Sequence, residues 1–303
     1  MNLLLTGAFN YSLKQIEKIE QLGFDITFVQ DERIPLDIDC SAFDAAVCNG
    51  LFLNNPIKNF TDLKFIQATS AGLDRMPLDY IEKNNIILKN AKGVYSVPMA
   101  EWCLTKILDI YKSTGYFFEK QHGKIWDKNR ELLELSGSCA TIIGAGDIGT
   151  QVAKRLRAFD VAVTAVDIVK PVSDFYDDYY NIKDIARALR KSDIIVITLP
   201  LTGATKNMFN YDLLSNMKKG SVIVNMSRGG IINEEDLVKI LQEGKIRAAA
   251  LDVFENEPLA KESNLWNVEN LYISPHNSFV SQKNSDRLFG VIYRNLNEWI
   301  ASH

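Results

Sequence analysis

The chain has 303 residues, of which 47% are hydrophobic and 24% charged, and its formal net charge is −4 with no block of like charge. That composition suits a soluble folded protein with a substantial core, in one large domain or two of ordinary size. It excludes a strongly basic nucleic-acid or anionic-membrane binder, and no stretch approaches the length of a membrane span.

The N-terminal half alternates short apolar runs with helical patterns. Residues 2–8 (NLLLTGA) read as a strand, and 12–23 as an amphipathic helix ending at Gly23. Further strands are expected at 25–29, 42–50, 63–72 and 86–93, with loops at 31–40 and 51–59 marked by Pro and Asp. Residues 97–121 read as one long helix starting near Pro98, followed by a polar surface stretch at 122–135 that contains Trp126.

A second series then begins. Strands are expected at 138–146, 161–167, 193–200, 221–227, 248–254 and 270–276. Helical patterns fall at 147–160, 181–189, 205–217 and 234–244, with a C-terminal helix at 281–302. Strands alternating with helices imply an α/β protein with parallel sheets, and two series imply two domains joined near 97–121. The four cysteines, Cys40, Cys48, Cys103 and Cys139, form no Cys-x-x-Cys pair and have apolar neighbours. Buried free thiols in a reducing cytoplasm are expected, and no metal site. The N-terminus lacks a basic leader and turns polar at once, unlike a secretory signal.

The segment 144–149 is GAGDIG, placed between an apolar strand and a helix. Gly144 allows the tight turn, Gly146 lets the backbone approach a pyrophosphate, and Gly149 lets the helix pack closely on the sheet. Asp147 and Ile148 fill the variable positions, and the free N–H groups of the helix start would face phosphates. Asp167 ends the next strand, where an acid can accept both hydroxyls of an adenine ribose and would repel a 2′-phosphate. NAD is therefore expected over NADP, with Lys170 the one nearby cation that would weaken the preference.

Later segments carry a sharper signal. VNMSRGGIINEEDL (224–237), AALDVFENEPL (249–259), ISPHNSF (273–279) and TLPLTGATKNMFN (198–210) resemble ordered motifs of the D-isomer-specific 2-hydroxyacid dehydrogenases. IQATSAGLDRMP (66–77) and NAKGVYSVPMAEW (90–102) are similar to the family's substrate loop and interdomain region. The resemblance covers essentially the whole chain. It implies two Rossmann-like or flavodoxin-like domains with an active-site cleft between them. Residues 1–96 and 277–303 would form the substrate-binding domain and 97–276 the NAD-binding domain, with a dimerisation helix and arm at about 97–135. A homodimer is implied, with Trp126 in the arm.

The resemblance also implies site roles. Arg228 would anchor the substrate, Glu257 would partner the histidine, and His276 would exchange the proton. Ser70, Ala71 and Gly72 would meet the substrate carboxylate through their amides. Leu199, Pro200, Thr205, Met226 and Ser227 would line the cofactor, and Asp252 would lie near its carboxamide. The chemistry asks for these types independently. A guanidinium grips a carboxylate bidentately while polarising the adjacent carbonyl, and an imidazole exchanges a proton near neutral pH. A carboxylate beside the imidazole orients the ring and favours its charged form. Glu255 is the rival of Glu257, which is chosen because it directly precedes Pro258. Met226 can equally be core, and Asp252 can simply cap a turn. Phe279 and Tyr95 either shape the substrate pocket or pack.

The expected activity is NAD-dependent hydride transfer between a D-2-hydroxy acid and its 2-oxo acid. Phosphoglycerate, glyoxylate and hydroxypyruvate enzymes need the same three residues and remain alternatives. The chain ends soon after the histidine motif, which disfavours the phosphoglycerate enzymes that carry an appended regulatory domain. Ser278 and Phe279 stand where small residues are commoner, which disfavours glyoxylate. An NAD-sensing corepressor without catalysis is the contrasting reading.

Overall fold

In the computed structural model, which describes residues 1–302, all strand pairings are parallel. The chain divides into two units, one of residues 1–95 with the chain end from 281, the other of residues 96–280.

The first unit runs β1 (Asn2–Thr6), α1 (Leu13–Glu20), β2 (Asp25–Val29), β3 (Ala45–Cys48), α2 (Leu51–Asn54), β4 (Phe65–Ala68), α3 (Leu78–Lys83) and β5 (Ile87–Lys89). Its sheet has the order β2-β1-β3-β4-β5. Strand side chains alternate between faces. Leu3, Leu5, Ala45 and Val47 pack with Leu288, Ile292, Leu296 and Trp299 of the C-terminal helix Asn284–Ala301. Leu4, Ala46, Cys48 and Ile66 pack on the other face with Leu51, Phe60 and Ile81. The C-terminal helix is also tied to β4 by a polar bond, in which Asn295 Nδ2 donates to Gln67 Oε1 at 2.6 Å.

The second unit runs α4 (Ser96–Tyr111), α5 (Thr114–His122), β6 (Cys139–Ile143), α6 (Asp147–Arg157), β7 (Ala162–Asp167), β8 (Asp178–Asn181), α7 (Ile185–Leu189), β9 (Ile194–Ile197), α8 (Tyr211–Leu214), β10 (Val222–Asn225), α9 (Glu234–Gln242), β11 (Ala248–Leu251) and β12 (Leu271–Ile273). The strand order β12-β11-β10-β9-β6-β7-β8 is doubly wound. Its switch point, where such sheets bind ligands beyond the strand C-termini, lies between β6 and β9. Ile194, Val196, Val222 and Val224 face Ile107, Val152 and Leu156, while Ile195, Ile197 and Ile223 face Leu189, Leu214, Leu237 and Ile240. Burial on both faces explains why these strands read as unbroken apolar runs.

Four local expectations are corrected. The long helix at 97–121 is two helices, because the Tyr111 carbonyl accepts from Leu133 N at 2.9 Å and Ser113 is left-handed at φ 50°. A right-handed helix does not continue through such a residue. β8 was not expected, and its sequence Asp-Tyr-Tyr-Asn carries no apolar run. Within 205–217 only Tyr211–Leu214 is α-helical. Cys48 and Cys103 are buried, but Cys40 is half-buried and Cys139 exposed, because Cys139 begins β6 while its neighbour Ala140 takes the inward position. All four are free thiols.

Residues 114–130 form an arm, in which Tyr116 Oη donates to Asp127 Oδ2 at 2.5 Å and Lys120 pairs with Asp127 at 3.1 Å. The arm exposes Phe118 at 62% and Trp126 at 96%, and lines a cavity of about 750 Å³. Among the described residues no helix is long and apolar enough to cross a membrane, and no His, Cys, Asp and Glu side chains group as metal ligands.

Candidate active site

β6 ends at Ile143 and α6 begins at Asp147, so the chain reverses within three residues. Gly144 takes φ +99°, and a β-carbon there would come within 2.8 Å of the Thr198 carbonyl carbon just beyond β9. The glycine turn is thus pressed onto the switch point. A β-carbon at Gly149 would lie 2.3 Å from the Gly144 oxygen, so α6 cannot pack this closely with any side chain there. Gly146 differs, since nothing lies within 4 Å of where its β-carbon would stand. The turn is closed toward the protein and open toward solvent, beside the free N–H groups of the α6 start. That shape and those donors fit a pyrophosphate.

Asp167 ends β7. Its Oδ2 accepts from Ala145 N at 2.7 Å and its Oδ1 from Ile168 N at 2.6 Å, so the carboxylate already holds the middle of the glycine turn. Among the described residues no hydrogen bond or ion pair joins Lys170 to it. Asp147 accepts from Ser96 Oγ at the start of α4, and Ile148 packs against the core. Leu199 is buried. Thr205 Oγ1 donates to the Pro200 carbonyl at 2.7 Å and accepts from Thr202 N at 2.8 Å, which pins the turn after β9. The Met226 side chain is turned into the core at 1% exposure, so only its backbone remains for a ligand. Ser227 Oγ donates to Asn225 Oδ1 at 2.8 Å.

Arg228 follows β10. Asn225 bends the chain there, because its side chain accepts from Ser227 N at 3.1 Å and donates to the Arg228 carbonyl at 3.0 Å. Arg228 itself donates from one terminal nitrogen to the Ser227 carbonyl at 2.7 Å. The next residue, Gly229, is packed against the Phe254–Glu255 peptide, where a β-carbon would approach the Glu255 nitrogen to 2.4 Å. The segment carrying Arg228 is thereby registered on the segment carrying Glu257.

Glu257 accepts twice, from Phe254 N at 3.0 Å through Oε1 and from His276 Nδ1 at 2.7 Å through Oε2. With a carboxylate as acceptor, Nδ1 is assigned the proton. Nε2 is then the ring nitrogen left to exchange a proton, and among the described residues it has no hydrogen-bond partner. The Glu257 and His276 side chains are 36% and 41% exposed, so their pairing orients the ring more than it stabilises the fold. Phe279 meets the same ring edge-on at 5.9 Å. Glu255 makes no such contact, and its amide instead donates to Glu234 Oε1 at 2.7 Å.

His276 is held at φ +50°, a left-handed conformation that costs a non-glycine residue roughly 1–3 kcal/mol. Asp252 offsets that strain. The Asp252 carbonyl accepts from His276 N at 2.7 Å. Its fully buried carboxylate accepts from Ser274 Oγ, and from the amides of Asn277 and Ser278 at 2.8 Å each. Both oxygens are committed to the histidine loop, so the contacts of Asp252 are those of a loop anchor, beyond the turn cap considered from sequence.

In the first unit, residues 69–72 follow β4. Their carbonyls are all occupied. Thr69 O accepts from Tyr95 Oη at 2.6 Å, Ser70 O from Ala91 N at 3.0 Å, Ala71 O from Asn90 Nδ2 at 2.7 Å and Gly72 O from Ser70 Oγ at 2.7 Å. Among the described residues the amides of Ser70, Ala71 and Gly72 donate to no protein acceptor. Three successive N–H groups without a protein acceptor are thus available to an anion. The functional reading of the sequence assigned no role to Asn90, Asn225, Ser96, Gly229 or Glu234, although all five lie within the motifs at 90–102 and 224–237.

A family model described as "D-isomer specific 2-hydroxyacid dehydrogenase, NAD binding domain" matches residues 104–278, more than half of the chain. The D-3-phosphoglycerate dehydrogenase of Methanocaldococcus jannaschii is 34% identical over 223 residues, 73% of this chain and 42% of that protein. The glyoxylate reductase of Thermofilum pendens is 34% identical over 248 residues, 78% of this chain and 71% of that one. A crystal structure of a D-isomer specific 2-hydroxyacid dehydrogenase family protein from Aeromonas salmonicida is similar with a TM-score of 0.82 at 26% identity, covering 100% of this chain and 96% of that one.

Proposed function

We propose that this chain, which belongs to the D-isomer-specific 2-hydroxyacid dehydrogenases, is an NAD-dependent oxidoreductase for a D-2-hydroxy acid and its 2-oxo acid. The observation that carries the reading is the 2.7 Å bond from His276 Nδ1 to Glu257, which leaves Nε2 for a substrate oxygen. When bound, the dinucleotide supplies the hydride, or receives it in the reverse direction. Gly144, Gly146 and Gly149 would hold its pyrophosphate at the start of α6, with Asp147, Ile148, Leu199, Pro200, Thr205 and Ser227 around it, and Asp167 would take the ribose hydroxyls. Because Asp167 would place a like charge beside a 2′-phosphate, NAD is the proposed partner.

Arg228 would grip the substrate carboxylate and polarise the carbonyl oxygen, with the amides of Ser70, Ala71 and Gly72 as further donors to the carboxylate. In reduction, protonated His276 gives its Nε2 proton to the developing alkoxide, while Glu257 holds the ring and balances its charge. In oxidation, neutral His276 takes the hydroxyl proton. Asp252 serves this step by holding the loop.

The test is NADH oxidation by purified protein with glyoxylate, hydroxypyruvate, pyruvate, phenylpyruvate, branched 2-oxo acids and phosphohydroxypyruvate. Turnover of at least one acid is expected. NADH binding without turnover across the whole panel would overturn the enzymatic reading in favour of a sensor. The arm bearing the exposed Phe118 and Trp126 is the proposed contact with a second copy of the chain, which would cover both side chains. Sedimentation velocity should give a dimer for the native chain and a lighter species for Trp126→Lys. Equal sedimentation of the two would remove the arm from the interface.

A further inference from the structure

We propose that Glu234 is a positioning residue for the Glu257–His276 pair, acting through the main chain of Glu255. The inference rests on the dehydrogenase reading above and adds to it a residue that the catalytic group does not include.

Glu234 opens α9, yet it is not the cap of that helix. The cap is Asn233, whose side chain accepts from Asp236 N at 3.0 Å. Glu234 turns away from its own helix and accepts the Glu255 amide, 21 residues further on, at 2.7 Å. The preceding amide, that of Phe254, goes to Glu257 itself at 3.0 Å. Two consecutive amides are therefore held by two carboxylates, one inside the loop and one outside it. Gly229 closes a further side of the same peptide.

The loop bond from Phe254 to Glu257 is local and moves with the loop. The bond to Glu234 is the one of the two that refers the loop to α9, and so to the sheet beneath it. Glu234 sits half-buried, and this position is unfavourable for a charge. Burial raises its proton affinity, the Glu255 amide lowers it, and the Glu255 carboxylate raises it again. The first turn of a helix favours an acid, but the contact this one makes is with the loop that carries the carboxylate bonded to His276. Loss of that acceptor frees the Glu255 amide and lets Glu257 drift from the imidazole, which loosens the ring's orientation without touching cofactor or substrate.

Three measurements on the full chain test this. Glu234→Ala should lower kcat about tenfold and leave KM for NADH unchanged. Glu234→Gln, which keeps an acceptor oxygen at the same reach, should stay within about twofold of the native enzyme. In a Glu257→Gln background, Glu234→Ala should cost little more, because residues acting through one another are not additive. A folded Glu234→Ala enzyme with native kcat, or one that loses the same tenfold in the Glu257→Gln background, would overturn the proposal. Amide exchange of the peptide spanning 252–258, followed without substrate, should quicken in Glu234→Ala and stay native in Glu234→Gln. Native exchange in the alanine variant would overturn the proposal equally. This readout holds even if no 2-oxo acid is turned over, an outcome that would sink the dehydrogenase reading alone. Should the alanine variant fail to fold, Glu234→Met, of similar length but without the acceptor oxygen, is read in the same way.

Discussion

Gly229 sits so close to Phe254 that a β-carbon at position 229 would lie 1.9 Å from the Phe254 carbonyl carbon. The obstacle is main chain, which cannot swing aside as a flexible side chain could. Gly229→Ala should therefore separate the Arg228 segment from the Glu257 segment. A misplacement of about 1 Å at reacting groups costs on the order of a hundredfold in rate, and that is the loss expected in kcat/KM. Thermal unfolding should fall alongside it. Native kinetics in a folded Gly229→Ala protein would show that the two segments need no common register.

Glu257 and Glu255 are two residues apart and chemically alike, but they face different partners. Glu257→Gln removes the carboxylate bonded to His276 and should lower kcat on the order of a hundredfold, as misplacement of a reacting group does. Glu255→Gln alters a side chain that makes no bond to the ring and should leave kcat in place. Initial rates of the two variants decide the matter, and equal rates would remove Glu257 from its role.

Asp167 holds the glycine turn through Ala145 N and is proposed to hold the ribose. Asp167→Ala should raise KM for NADH by roughly tenfold, the loss of one or two hydrogen bonds to a charged acceptor. The same variant should lower KM for NADPH, because the like charge is gone. If the ratio of the two constants stays unchanged, dinucleotide preference is set elsewhere.

Asp177 offers a stability test far from catalysis. The Val163 amide, at 2.7 Å from Asp177 Oδ2, and the Arg157 guanidinium both hold its carboxyl below the usual carboxylate range, against a partial burial that works the other way. A lowered native value means that the bonds stabilise the fold above the unfolded carboxyl value of about 4, and that this contribution disappears as pH falls through the native value. Asp177→Asn should thus melt below the native protein at pH 7, with the gap in Tm narrowing toward pH 3. A gap that is constant with pH would show that ionisation of Asp177 is irrelevant to stability.

The sheets and the glycine turn were legible in the sequence because their physics is local. Ile194–Ile197 and Val222–Asn225 announce buried parallel strands by composition alone, and GAGDIG announces its turn by spacing. β8 stayed hidden because Asp178–Asn181 pairs through its backbone at a sheet edge and needs no apolar run. The break at Ser113 stayed hidden because it depends on Leu133, twenty residues away, taking the Tyr111 carbonyl. Site residues were legible as types at motif positions, but their supports were not. The need for glycine at 229 comes from Phe254, and the partner of Glu234 is Glu255. Such pairings exist only once distant loops have met.

The loop at residues 69–72 carries a consequence for how this protein would respond to its surroundings. A carboxylate receptor made of peptide amides has no proton to lose and no charge to be screened. Its carbonyls are tied down by Tyr95, Ala91, Asn90 and Ser70 during folding, so little reordering is left for the moment of capture. On the proposed reading, substrate anchoring at this loop is nearly indifferent to acidity and ionic strength. On the same reading the loop adds to the hold of Arg228 on the acid and takes no part in exchanging its proton.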